Sequence, residues 1–213
     1  MEMNGLMNGL YRISEWIMRL AYINILWLVF TLLGLMVFGV FPATTGLFAV
    51  ARKWRMGESD VAVFKTFWHS YKSEFFKANI LGYIMVIIGV ILYFDIRIVQ
   101  SMDGWLSTIL LFLLVAMSFF MLFFGIFLFP VLVHYKSKTL QYMKNAILVS
   151  IAFPFHTIMM IVTTIAYSFI IAAFPVLIPF FSVSVLITSV MFIAYDAFRR
   201  VEEKQSNDLQ EPN

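Results

Sequence analysis

Long stretches without a single charged side chain are the feature that most limits how this protein can fold. Four such stretches cover residues 20–51, 78–94, 104–135 and 145–195, and they contain 32, 17, 32 and 51 residues. A helix that crosses a hydrocarbon layer ~30 Å thick needs about 20 mostly apolar residues. Each stretch can therefore supply one membrane-crossing helix, and the fourth is long enough for two.

Two prolines divide the fourth stretch. Pro175 and Pro179 lie near its middle, and proline interrupts helical hydrogen bonding, so a turn between two spans is expected there. The sequence predicts an all-α, polytopic membrane protein with one membrane domain over residues 1–200 and a disordered cytoplasmic tail over 201–213. The five predicted spans are residues 20–41, 78–95, 105–130, 146–168 and 178–198.

The composition supports a membrane solvent. Of the 213 residues, 62% are hydrophobic and 13% are charged, against roughly 45–50% and about 25% in soluble domains. So few charges cannot cover so much apolar surface in water. The sequence also contains no cysteine, which excludes disulfides, thiolate metal sites and thiol catalysis.

The distribution of lysine and arginine predicts the orientation, because such residues concentrate in cytoplasmic loops. In the five-span topology, 12 of the 15 basic residues fall on one side, within residues 52–77, 136–144 and 199–204. The other three are Arg12, Arg19 and Arg97. This bias predicts a multi-pass protein of the cell membrane with a cytoplasmic C-terminus and an external N-terminus.

The N-terminal segment permits a second topology. Leu10, Ile13, Trp16 and Ile17 recur at helical spacing among charged residues, which is typical of an amphipathic helix at an interface. A re-entrant first element, with both of its ends inside the cell, is therefore an alternative.

Pro42 is expected to end the first span. Residues 20–41 would form a rod of ~33 Å, which is one crossing, and Pro42 would bend the chain into a helix in the inner headgroup layer. Arg52, Lys53 and Arg55 follow within four positions. These three basic residues are predicted to contact a partner or anionic lipid.

The segment 60–77 is the clearest amphipathic helix. Its apolar stripe includes Phe64, Phe67, Trp68 and Tyr71, at positions i, i+3, i+4 and i+7, and continues to Phe75 at i+11. One interpretation is an interfacial helix that leads into the second span. The other is a docking surface for a partner or for lipid.

Two segments resemble each other within the sequence. MVFGVFPATTGLF (36–48) and LFFGIFLFPVLVHY (122–135) both place glycine before Phe-Pro, and each precedes a similar entry, EFFKANILGY (74–83) or QYMKNAILVS (141–150). The pattern predicts a parallel duplication of a two-helix hairpin, followed by a fifth helix.

No catalytic, cofactor or metal site is predicted, because the motifs of P-loops, serine hydrolases and zincins are missing from the sequence. The protein is expected not to be an enzyme and not to bind nucleic acid. His156 lies near the middle of the fourth predicted span, where an ionisable group is costly. It is either an in-membrane polar site or a structural residue beside Pro154, whose missing N–H frees a carbonyl near Ser150.

Residues FPATTGLFAVARKWRMGE (41–58), together with FFKAN (75–79), resemble the YesL-like family of bacterial membrane proteins of unknown function. The resemblance runs over about residues 5–200. It implies a small polytopic protein of a Gram-positive bacterium, of a kind often encoded beside ABC-type sugar importers and polysaccharide-degrading enzymes.

That resemblance implies an accessory role in carbohydrate uptake, with membrane lipids and importer permease subunits as partners. Residues 52–77 lack the Glu-Ala-Ala and glycine motif of importer permeases, so an accessory or regulatory subunit is preferred to a permease. The alternatives are a small-solute transporter that uses His156, and a lipid-interacting scaffold that uses the 12 clustered basic residues.

Overall fold

The computed structural model describes residues 2–58 and 60–208, with side chains from 9 to 58 and from 60 to 204. Within these ranges the protein forms helices and no strands, which confirms the predicted all-α class. The helices are α1 (Glu2–Leu33), α2 (Val40–Arg55), α3 (Val63–Ser73), α4 (Phe75–Gln100), α5 (Trp105–His134), α6 (Thr139–Ala152), α7 (Pro154–Ala173), α8 (Ile178–Phe181) and α9 (Ser184–Asp208).

Four described helical segments are long and apolar enough to cross a membrane. A bent pair, which turns by 63° at its break, supplies a fifth candidate. The molecule is therefore a helical membrane protein with four or five candidate spans. The four are Gly9–Leu33, Phe75–Gln100, Trp105–His134 and Pro154–Ala173, and the bent pair is Pro175–Phe181 with Ser184–Lys204.

Helix α2 occupies the centre of the fold. It returns antiparallel along α1: the indole N–H of Trp27 donates to the hydroxyl of Thr44 (3.0 Å), and the rings of Trp16 and Trp54 meet at 5.4 Å. Its buried face carries small residues, including Ala43, Gly46 and Ala51. Small side chains let helix backbones approach closely in a membrane, and α1, α3, α5 and α9 all pack on α2.

The predicted first span, 20–41, is wrong in its end point. Helix α1 ends at Leu33, and a tight turn over residues 34–39 reverses the chain. A Cβ on Gly39 would lie 2.4 Å from the carbonyl oxygen of Thr31, so the backbones touch there. Pro42 lies in the first turn of α2, where its missing N–H has no helical partner to lose. The turn, in which Leu35 and Met36 have positive φ and the glycines let the backbones touch, produces the bend, and Pro42 does not.

The N-terminal half of α1 lies at the basic end of the bundle. Trp16 contacts Trp54 and also Phe192 of α9 (6.4 Å). A path that places residues 1–19 and 52–77 on opposite sides of a membrane cannot bring these rings together. The structure thus differs from the predicted path of the first element. It favours the alternative of a re-entrant first element, since α2, at 16 residues or ~24 Å, is shorter than the bilayer core.

Helices α4 and α5 form a long hairpin whose ends extend beyond the predicted spans 78–95 and 105–130. A Cβ on Gly89 or Gly125 would meet the methionine opposite, Met121 (3.2 Å) or Met85 (2.6 Å). Apart from Ser107, the buried residues of α5 all lie within residues 127–132. The rest of α5 has little cover besides α4.

The predicted fourth span, 146–168, is split. Helix α6 ends at Ala152 and α7 begins at Pro154. Pro154 cannot donate to the carbonyl of Ser150, and the hydroxyl of Thr157 donates to that oxygen instead (3.2 Å). A neutral polar side chain thus satisfies the carbonyl that the proline leaves without a partner.

Asn24 joins α1 to the break before α9. Its Nδ2 donates to the carbonyl of Pro179 (2.8 Å), and its Oδ1 accepts the N–H groups of Val183 and Ser184 (both 3.1 Å). The side chain is fully buried. Asn24 therefore replaces the helical hydrogen bonds that are lost where the fifth candidate span bends.

The segment that follows the last span is more ordered than predicted. Helix α9 continues through residues 201–208, because Glu202 binds His134 and Glu203 binds Arg199 one turn away. The remainder of the predicted disordered tail, 209–213, lies outside the described residues.

The two resembling segments adopt different structures. Gly39 and Pro42 flank the start of α2, whereas Gly125 and Pro130 lie inside the continuous helix α5. The internal duplication stays a prediction.

Replacing Asn24 by leucine should destabilise the protein by roughly 2 kcal/mol or more, because three buried backbone groups lose their partner. The measurement is the unfolding midpoint in detergent. Asn145→Leu is the matched control, since Asn145 is partly buried and no described residue hydrogen-bonds its side chain. Equal midpoints for the two variants would contradict the role of Asn24.

Single cysteines can test the re-entrant topology, because the protein has no cysteine of its own. We expect Tyr11→Cys and Lys204→Cys to be protected alike from an impermeant maleimide on intact cells, and Ser101→Cys to react. Tyr11 and Lys204 belong to the basic end, whereas Ser101 follows α4 at the far end of the hairpin. Labelling of a cysteine at position 11 would contradict the re-entrant topology and support the external N-terminus.

Candidate functional site

An open groove of about 1450 Å³ lies between α3, the C-terminal part of α2 and the connection from α5 to α6. We call it the basic groove. Its acidic lining residues are Glu58, Asp60 and Glu74. Its cationic lining residues outnumber them and are Arg52, Lys53, Lys65, Lys72, Lys77, Lys136 and Lys138.

Some of these cations are paired inside the protein. Lys53 lies 3.2 Å from Glu58, and Lys77 lies 2.9 Å from Glu74. Four further lysines have no acidic partner among the described residues, and all four are exposed. These four are Lys65, Lys72, Lys136 and Lys138.

Arg52 belongs to a series of hydrogen bonds across three helices. Its Nε donates to Nδ1 of His134 (3.2 Å), so the proton of the imidazole must lie on Nε2, which faces a carboxylate oxygen of Glu202 (2.9 Å). The imidazole also stacks on Phe198, with ring centroids 4.4 Å apart. This hydrogen-bond series connects α2, α5 and α9.

Tyr135 borders this series and remains neutral. Burial raises the pKa of its phenol, and the negative charge of Glu202 raises that pKa further. Its ring contacts His134 (4.7 Å) and Phe198 (5.5 Å) edge to face. Tyr135 thus provides an uncharged wall where α5 ends and the groove begins.

Arg55 also binds within the protein. Its guanidinium pairs with Asp196 of α9 and lies 5.6 Å from the ring centroid of Phe192. Arg52, Lys53 and Arg55 were predicted to contact a partner or lipid. The structure gives all three an internal partner.

The aromatic stripe of the predicted amphipathic helix 60–77 packs mainly inside the protein. Helix α3 covers only Val63–Ser73, and Phe67 and Tyr71 are buried. Four rings surround Phe30 of α1, at centroid distances from 5.1 to 6.3 Å, and they belong to Phe64, Phe67, Trp68 and Tyr71. Phe67 and Tyr71 are therefore not available to a partner, while Phe64 and Trp68 remain partly exposed.

His156 is not in the middle of a span. It lies in the first turn of α7, because the helix restarts at Pro154. A second cavity, of about 530 Å³, includes His156 together with Asp196 and Arg200. The predicted in-membrane polar site becomes a position at the basic end of the bundle.

No group of three or more potential metal-ligating His, Cys, Asp or Glu side chains occurs in the described part of the protein. The expectations of no catalytic, cofactor or metal site stay predictions.

Sequence reasoning missed the convergence of the four unpaired lysines. Lys65 and Lys72 are about 70 residues from Lys136 and Lys138. The count of basic residues placed all four on one side of the membrane. It carried no information about which of them share a groove.

Replacing His134 by phenylalanine should lower the free energy of unfolding by roughly 1–3 kcal/mol, because Arg52 and Glu202 each lose a partner while the aromatic stack is kept. Unfolding in detergent measures the effect. His69→Phe, at an exposed histidine, should cost much less. A loss no larger than that of this control would show that the hydrogen-bond series is dispensable.

Comparison with known proteins agrees with the resemblance in the sequence. A family model described as a protein of unknown function, DUF624, matches residues 20–96. Three uncharacterized proteins of Bacillus subtilis (strain 168) match nearly the whole length: YteU, 44% identical over 95% of this chain and 91% of its own length; YesL, 33% identical over 94% and 95%; and YesV, 32% identical over 92% and 94%. No solved structure matches. The protein therefore belongs to the YesL-like (DUF624) family of proteins of unknown function.

Proposed function

We propose that this protein is a non-enzymatic accessory subunit that binds the multi-pass permease of a carbohydrate ABC importer in the cell membrane. The observation that carries the proposal is the uncovered α4–α5 hairpin. The most apolar 18-residue stretch of α5 contains no buried residue. This exposed stretch of the hairpin offers a neighbouring membrane protein an apolar face to pack against.

The outward side chains of the hairpin support this role. Phe112 and Phe119 are 73% and 69% exposed, and their spacing of seven residues places them on one helix face. Large aromatic side chains contribute strongly to interfaces. We take this face as the surface that meets the permease.

The interior of the protein offers less support to the alternative of a solute transporter. The rings of Phe41 and Phe48 stack on Phe129 between α2 and α5, at 6.1 and 6.3 Å. Asn79 donates to the backbone carbonyl of Phe38 (3.1 Å), as Asn24 does at the α9 break. These amides hold helix ends together, and aromatic rings fill the space where a polar path would run.

The class of partner comes from the sequence resemblance. The resemblance to the YesL-like family implies a protein of a kind often encoded beside carbohydrate ABC importers. That gene neighbourhood favours an accessory component of such an importer. The apolar helices are suited to lipid contact as well, so the rival proposal is a scaffold with lipid as its only neighbour. The cytoplasmic orientation of the basic end is part of the proposal and follows from the lysine and arginine bias.

The test is affinity purification of the tagged protein from its own host after mild cross-linking of membranes. We expect the permease of a carbohydrate ABC importer among the recovered proteins. Phe112→Ala/Phe119→Ala should reduce its recovery about tenfold or more, because two exposed aromatic anchors are lost.

The control variant is Phe155→Ala/Phe169→Ala, which removes two equally exposed rings (69% and 72%) from α7. This variant should recover the permease as well as the unmodified protein does. Recovery of no importer permease would defeat the proposal. An equal loss of permease recovery in both variants would show that the contact does not depend on this face of the hairpin.

A further inference from the structure

Two pairs of lysines line the basic groove. The backbone around each pair places both of its side chains on the same side. Lys65 and Lys72 are seven residues apart on α3 and share a helix face. Lys136 and Lys138 are two residues apart in the extended connection between α5 and α6, and alternate residues of an extended strand point to the same side. All four line the groove.

The positive charge in the groove is only partly compensated. Glu58 and Glu74 are each occupied by a neighbouring lysine, and Asp60 is the third acidic lining residue. Exposed like charges that converge without partners repel one another. The four lysines therefore favour an anionic ligand that can approach several ammonium groups at once.

The position of the groove matches the depth of lipid headgroups. Leu132 and Val133, from the last turn of the candidate span α5, form part of its wall, and Lys77 lies in the first turn of the candidate span α4. Trp68 and Tyr142 also line it. Tryptophan and tyrosine concentrate at the membrane–water interface, and lipid phosphates lie in this layer.

We propose that the basic groove binds the phosphate-bearing headgroups of anionic phospholipids through Lys65, Lys72, Lys136 and Lys138. Lysine is a flexible point charge that suits phosphate oxygens without demanding one geometry. The apolar side chains at the span ends lie beside the start of the acyl chains. This site is separate from the exposed Phe112 and Phe119 face that we propose for the permease.

The test uses the full protein in nanodiscs of phosphatidylcholine, alone or with a minority of phosphatidylglycerol. Native mass spectrometry counts the phosphatidylglycerol molecules that stay bound after release. Lys65→Gln/Lys72→Gln and Lys136→Gln/Lys138→Gln should each weaken retention by an order of magnitude or more, because each lysine contributes roughly a fivefold factor near an anionic surface.

The control removes the same charge elsewhere. Lys144→Gln/Lys204→Gln changes two exposed lysines outside the groove and should retain phosphatidylglycerol like the unmodified protein. All variants should unfold at the same temperature in phosphatidylcholine alone, since exposed side chains are replaced. Equal retention by groove and control variants would overturn the proposal.

Two further probes separate other anions from lipid. Inorganic phosphate and glycerol phosphate, added to phosphatidylcholine nanodiscs, should give no lysine-dependent stabilisation. If they stabilise the protein as strongly as phosphatidylglycerol does, the groove is a site for soluble phosphate and the lipid proposal fails. Lysine-dependent binding of a poly-glutamate peptide, without retention of phosphatidylglycerol, would assign the groove to an acidic protein segment and would also overturn it.

Discussion

The bundle is organised around the close packing of α2 at its centre. Apolar burial gives helices little reason to associate in lipid, because the acyl chains are equally apolar. Association therefore rests on close fit and on polar contacts. The tight turn at 34–39 sends the chain back along α1. The small residues Ala43 and Gly46 let neighbouring helices approach α2. A helix that continued to residue 41 would leave this centre empty.

Polar side chains within the apolar bundle form hydrogen bonds to the backbone groups that helix breaks leave without partners. Asn24 binds backbone groups at the bend before α9, and Thr157 binds the free carbonyl at the break before α7. Asn79 binds a carbonyl near the end of the turn at 34–39. In hydrocarbon a free backbone group costs several kcal/mol, so each interruption needs such a partner. These residues hold the shape of the helical bundle. Their partners are backbone atoms of the protein itself.

The basic end holds both paired and unpaired cations. Arg52 and Arg55 bind His134 and Asp196 across helices, as the fixed donor fork of a guanidinium allows. Lysines near them, such as Lys136, remain unpaired around an open groove. One set stabilises the bundle, and the other is the set that we propose to bind anionic lipid. Arg52 and Lys53 of the predicted contact site line the groove, and their contact with a partner or lipid stays a prediction.

The solvent, the helical class and the concentration of positive charge at one end could be predicted from the sequence, because they follow from local composition and from the length of a span. The family followed from the resemblance of residues 41–58 and 75–79. The free carbonyl of Ser150 beside Pro154 was also predicted, whereas the break between α6 and α7 was not. The turn of α1 at Gly39, the burial of Phe67 and Tyr71 against Phe30, and the choice of the four lysines that converge emerged only from the packed fold. Uncharged helical sequence has the same pattern whether it crosses a membrane or returns halfway, and a stripe of aromatic rings suits a core as well as a partner. Those choices depend on contacts between residues far apart in the sequence, which periodicity does not record.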